Sequence, residues 1–148
     1  MVKNMMRHPD KRLLAVLFLL VFAGPVYGAE LVIIGNPNLS APSLDTKGLQ
    51  RIYMGKLTRW NNDETIVPVM LKGGPVHNAF VESYLDRSAH RFVTYWRQMI
   101  FTGKGTPPRS FENEQDLIAF VARTPGSVGY ASAGTDMGEV KILSVVTD

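Results

Sequence analysis

One stretch of this 148-residue chain has a physical route to chemistry: Val69-Met70-Leu71-Lys72-Gly73-Gly74-Pro75-Val76-His77. Two glycines after a strand let the backbone curl, so that successive N–H groups can point at one spot. A helix opening at Pro75, where no N–H is needed, adds its first-turn amides and about half a positive charge. Lys72 adds a full charge. Such a place suits an oxyanion, held by Lys72, Gly73, Gly74, Val76 and His77. The same residues also read as an ordinary connector, because glycines before a proline-started helix commonly do nothing more than join a strand to it.

Other chemistry is thin. His77 and His90 fall on different predicted helices, and neither has a ligand partner at i, i+4, so no metal site is expected. The chain has no cysteine, which excludes thiol chemistry, Cys-based metal sites and a disulfide framework. Neither a Gly-x-Ser-x-Gly elbow nor a phosphate-binding Gly-x4-Gly-Lys-Ser/Thr loop is present. Gly103-Lys104-Gly105 reads as a turn after a helix end. Nothing assembles a nucleophile, a base and an oxyanion donor. The chain is expected not to be an enzyme and to carry no cofactor.

The elements that would hold the glycine turn alternate along the chain. Leu31 to Gly35 is an apolar run of the kind found in strands buried on both faces. A loop from Asn36 to Pro42 follows. Thr46 is placed to cap a short helix carrying Leu49, Ile52 and Tyr53, and Gly55 ends it. Trp60 to Asp63 is a turn. Ile66 to Leu71 is a second strand, in which Pro68 argues for an edge or bulge. The helix from Pro75 carries Val76, Phe80, Val81, Tyr84 and Leu85. Ser88 caps the next, with Phe92, Tyr95, Trp96, Met99 and Ile100 on one face. Residues 102–110 form a loop, 114–123 a fourth helix, and 127–132 and 140–146 the closing strands. Four strands and four helices make one α/β layer structure.

The N-terminus reads as an export signal. Lys3, Arg7, Lys11 and Arg12 stand against the single acid Asp10, then Leu13 to Ala23 is wholly apolar. Those eleven residues, at about 1.5 Å each, reach only about half of a ~30 Å hydrocarbon core, so no stable membrane insertion is expected after cleavage. Gly24-Pro25 breaks the helix, and cleavage is expected between Gly28 and Ala29. The domains are thus a signal peptide at 1–28 and one folded unit at 29–148. The full chain carries a net charge of +3 from 16 Lys/Arg and 13 Asp/Glu, and removing residues 1–28 leaves twelve of each. The basic balance therefore belongs to the signal, and no nucleic-acid partner is implied.

Leu49 to Asn61 (LQRIYMGKLTRWN) resembles the L-x-x-I-F-x-G-K-I-T-x-W-N segment of the periplasmic phosphate-binding protein of bacterial phosphate ABC transporters. Thr124 to Tyr130 (TPGSVGY) resembles its T-P-G-A-I-G-Y segment. Asn36-Pro37 leading into Leu44 is similar to that family's crossover strand, while Tyr95-Trp96 and Phe101 to Pro108 are similar to its short stand-alone members. The likeness runs over most of residues 31–135. It implies a single lobe of a type II periplasmic-binding-protein-like fold, a mixed sheet flanked by helices, with Trp60 and Tyr130 as core or lobe-face residues.

The resemblance further implies an exported, periplasmic domain that binds phosphate or a related oxyanion in connection with phosphate ABC transport. Two departures bear on this. The chain has the length of about one lobe, without the family's N-terminal phosphate loop. The family's R-x-D-G-S-G-T contacts fall here near Met70 and at Gly74-Pro75-Val76, leaving the glycines, Lys72 and the helix terminus to hold an anion. The alternative is an accessory or interaction subunit of an envelope transporter, porin or sensor, with an envelope protein or a second copy as partner.

Overall fold

The computed structural model describes residues 30–40 and 44–147; the expected signal segment and the expected Gly28–Ala29 cleavage point lie outside them. Eleven elements follow in chain order: β1 (Leu31–Gly35), β2 (Leu44–Asp45), α1 (Thr46–Tyr53), β3 (Val67–Leu71), α2 (Pro75–Leu85), α3 (Ala89–Phe101), β4 (Arg109–Phe111), α4 (Glu114–Arg123), β5 (Ser127–Ser132), β6 (Lys141–Leu143) and β7 (Val145–Val146).

Five strands form one mixed sheet in the order β4-β3-β5-β1-β6, and β2 with β7 forms a separate two-stranded pair. The βα crossovers run β3 parallel to β4 and to β5, whereas β1 is antiparallel to both β5 and β6. β1 thus lies inside the sheet, with Ile33, Ile34 and Gly35 buried as its apolar run demands. Alternation along β5 divides the layers: a Cβ at Gly129 would press on Leu117 and Val121 of α4, while Tyr130 stacks on Phe80 of α2. α4 covers one face, α2 the other, and α1 and α3 pack outside α2.

Three sequence expectations change. Asp45, not Thr46, caps α1, because its carboxylate accepts from Gly48 N–H at 2.6 Å. The loop at 102–110 ends in a strand: Arg109–Phe111 pairs in parallel with β3, though three residues carry no period to announce it. The final strand is two: it breaks at Ser144, and β7 leaves the main sheet to pair with β2. Pro68 marks a local edge and no bulge, since β4 does not reach it. It sits where β3 stops pairing with β5 and, from Val69 onward, pairs with β4, so its missing N–H falls at a change of partner.

That change of partner leaves a gap between β3 and β5 that two tyrosines fill. Tyr53 Oη donates to the Val69 carbonyl at 2.8 Å and also lies 3.4 Å from the Val128 carbonyl. Leu71 N–H donates to Tyr130 Oη at 2.9 Å. Hydroxyls replace the missing ladder bonds, which a buried backbone requires. At the head of β5, Gly126 has φ +74, and a Cβ there would meet the Thr65 carbonyl at 2.1 Å, so no other residue fits that turn.

Candidate anion-binding site

Lys72 still belongs to the sheet edge, its N–H donating to the Phe111 carbonyl at 2.9 Å. The chain then leaves the sheet through Gly73 and Gly74. Gly74 has φ 93 and ψ 176, backbone that glycine adopts readily, and its carbonyl accepts from Asn78 N–H at 3.0 Å to close the first turn of α2. No side chain caps this end of the helix. A Cβ at either glycine would meet nothing within 4 Å, so the space beside the turn is open.

The five expected site residues separate into two groups. Lys72, Gly73, Gly74 and the backbone of Val76 gather at this mouth. His77 does not: its side chain is turned into the core and is 4% exposed. Lys72 Nζ, moreover, is already paired with Glu112 Oε1, a residue that no motif singled out. Glu112 follows β4, and its place beside Lys72 comes from a strand pairing that local pattern does not reveal. Both partners are more than half exposed, so the pair is readily exchanged for an incoming anion.

Beneath the mouth lies a buried polar cluster. His77 Nδ1 is 2.6 Å from Tyr130 Oη, which also accepts from Leu71 N–H. One proton lies between His77 Nδ1 and Tyr130 Oη, carried by the phenol or by Nδ1 according to the imidazole tautomer. Burial lowers the His77 pKa from its ordinary 6.5. Burial also raises Tyr130 above the usual phenol range, with Glu114 adding to the rise and Leu71 N–H opposing it. Tyr53 is raised as well, first by burial and then by Tyr130. The cluster stays uncharged at neutral pH; it holds the start of α2 against β3 and β5 and offers an anion no charge.

Among the described residues no group of three His, Cys, Asp or Glu side chains is arranged to hold a metal. Two shallow clefts of about 410 and 370 Å³ flank the junction of α2 and α3. Neither is lined by the Gly73-Gly74 turn. Their residues include Arg87 and Arg91, which sequence reading passed over although residues 87–109 hold five Lys/Arg and no acid.

The architecture is that of a periplasmic-binding-protein-like α/β unit. More particularly, over 78% of its length the chain matches an ABC-type phosphate transport receptor from Vibrio cholerae, with a TM-score of 0.61 and 20% identity, covering 45% of that protein. PstS from Borrelia burgdorferi matches with a TM-score of 0.60 and 17% identity, again over 78% of this chain and 46% of the other. The chain therefore spans less than half the length of these solved proteins. No family model matches it, and no curated protein does. At such identity the likeness establishes the fold, and among the described residues no helix is long and apolar enough to cross a membrane.

Proposed function

We propose that this chain is an exported, substrate-binding-type domain that holds phosphate or a related oxyanion at the start of α2, in connection with phosphate ABC transport. The observation that carries the reading is the uncapped, open helix mouth at Gly73-Gly74, with Lys72 beside it. The likeness in fold to a phosphate transport receptor supports it. The folded unit is taken as residues 29–148; the signal-like N-terminus supports export, and the resemblance to the periplasmic phosphate-binding family supports the periplasm as its destination. Affinity is modest: with no arginine fork or paired hydroxyls at Met70 and Gly74-Pro75-Val76, a Kd of about 1 mM (~4 kcal/mol) is expected.

Titration of phosphate, then sulfate, followed by amide NMR shifts at Gly73, Gly74 and Val76, tests this. Lys72→Glu abolishes the shifts, whereas Glu112→Gln frees the lysine and tightens binding about threefold. Unmoved amides in both the wild type and Glu112→Gln at tens of millimolar anion sink the proposed site.

The Lys72–Glu112 pair favours a second reading. A lysine already answered by a carboxylate fits a domain that kept the fold without its ligand and serves as an accessory or interaction subunit of an envelope transporter, porin or sensor. Silent titrations favour this reading over the first. Purification from envelope extract that recovers no specific partner counts against it.

A further inference from the structure

The outer side of α3 is the most unusual surface among the described residues. Its inner side is satisfied: Phe92 and Trp96 are buried, Trp96 Nε1 donates to the Tyr53 carbonyl at 3.2 Å, and Tyr95 Oη donates to the Met54 carbonyl at 2.7 Å. One flank of the same helix carries further apolar side chains. Val93 and Ile100, one i, i+7 step apart with Arg97 between them, are 42% and 55% exposed, and Phe101 beside them is 93% exposed. Phe101 is the most exposed large apolar side chain described, and it stands at the helix end next to the fully exposed turn Thr102 to Thr106.

Cations surround this row. The adjoining cleft of about 370 Å³ is lined by Arg87, His90, Arg91, Thr94, Tyr95 and Gln98, with no acid among them. Arg97 lies within the row and Lys104 in the turn beyond it. None of Arg87, Arg91, Arg97 and Lys104 forms an ion pair among the described residues. Glu82 and Asp86 share the neighbouring cleft on the α2 side with Arg87 and Arg91 without forming an ion pair to either. The near-neutral total for residues 29–148 thus hides a strong separation: the segment 87–109 is purely basic, and the remainder is acidic.

We propose that this face docks reversibly on an anionic lipid surface, with Phe101, Ile100 and Val93 entering the headgroup–acyl boundary. Arg87, Arg91, Arg97 and Lys104 meet the lipid phosphates, and the cleft beside Arg87 and Arg91 takes one headgroup. Charge complementarity selects the partner: unpaired cations around protruding apolar groups match a fluid boundary that is anionic outside and apolar within. A second copy is disfavoured, because two such faces would set cation against cation. The inference is independent of any anion at the start of α2.

Cosedimentation of the full chain with phosphatidylcholine vesicles, with and without phosphatidylglycerol, tests the proposal. The apolar run at 13–23 contributes equally to both, so the readout is the gain in partition that the anionic lipid brings. Reversing Arg91 and Arg97 together (Arg91→Glu, Arg97→Glu) is expected to cut that gain at least about tenfold. Phe101→Ser cuts it about fivefold, while Lys72→Glu leaves the surface intact. All these side chains are exposed, and an unchanged melting temperature shows that the variants fold. Inorganic phosphate at matched ionic strength does not release the protein; release by phosphate would reassign the cleft to the free ion. A gain unchanged in the variants overturns the proposal. So does variant-sensitive capture on polyglutamate beads without vesicle binding, which would assign the face to an acidic protein.

Discussion

Tyr130 meets three constraints at once: its hydroxyl accepts from Leu71 N–H and shares a hydrogen bond with His77 Nδ1, and its ring stacks on Phe80 at 3.8 Å between centroids. Its consequence is a pH dependence of stability. Folded His77 titrates below its ordinary 6.5, so between 6.5 and its folded value the unfolded chain binds a proton that the folded chain refuses. Stability therefore falls as pH drops below about 6.5. His77→Asn keeps an acceptor for Tyr130 and removes the titration, so its melting temperature should decline less over that range than the wild type's. Equal slopes in the two proteins would show that His77 is not the responsible group. At this scale the sequence was half legible. The glycines and Pro75 announced the turn through their backbone geometry. The burial of His77 was hidden, since it depends on a tyrosine 53 residues away.

Among the elements, those that local chemistry defines were legible. Ser88 and Asn113 cap α3 and α4 through side-chain bonds to Arg91 and Asp116 N–H, and the apolar spacing of both helices is helical. β4 and β7 were not legible, because two or three residues acquire strand geometry only from a partner. The β3–β5 seam makes the same point energetically. Its pairing stops at Pro68, and Tyr53 from α1 supplies a donor in place of the ladder. Tyr53→Phe preserves the ring's edge contact with Phe80 at 4.8 Å but leaves a buried carbonyl without that donor. A loss of about 1–2 kcal/mol in denaturant unfolding is expected. Faster amide exchange confined to β3 and β5 would locate the damage, whereas a change below about 0.5 kcal/mol would show that the seam does not depend on the hydroxyl.

For the whole molecule, the layer class was readable from alternating apolar runs, but the strand order was not. Nothing local places the first strand between the last two of the sheet. Leu31 faces Ser132, and Ile33 faces Leu143 on the other side. Removing residues 139–148 deletes β6 and β7, uncovers one side of β1 and loses the buried Leu143. That truncation should cost at least about 3 kcal/mol and broaden the thermal transition. A sharp transition at the parent temperature would show that β6 is dispensable. The interior position of β1 also fixes an order of events in time. A chain delivered end-first, from a ribosome or through a narrow channel, brings β1 out before either neighbour, and the sheet cannot close around it until the C-terminal residues are free. Helices α1 to α4 can form earlier, but the sheet around β1 waits for β5 and β6. Those contacts therefore form late and at high contact order, and the emergence of β6 sets the moment at which the sheet can close.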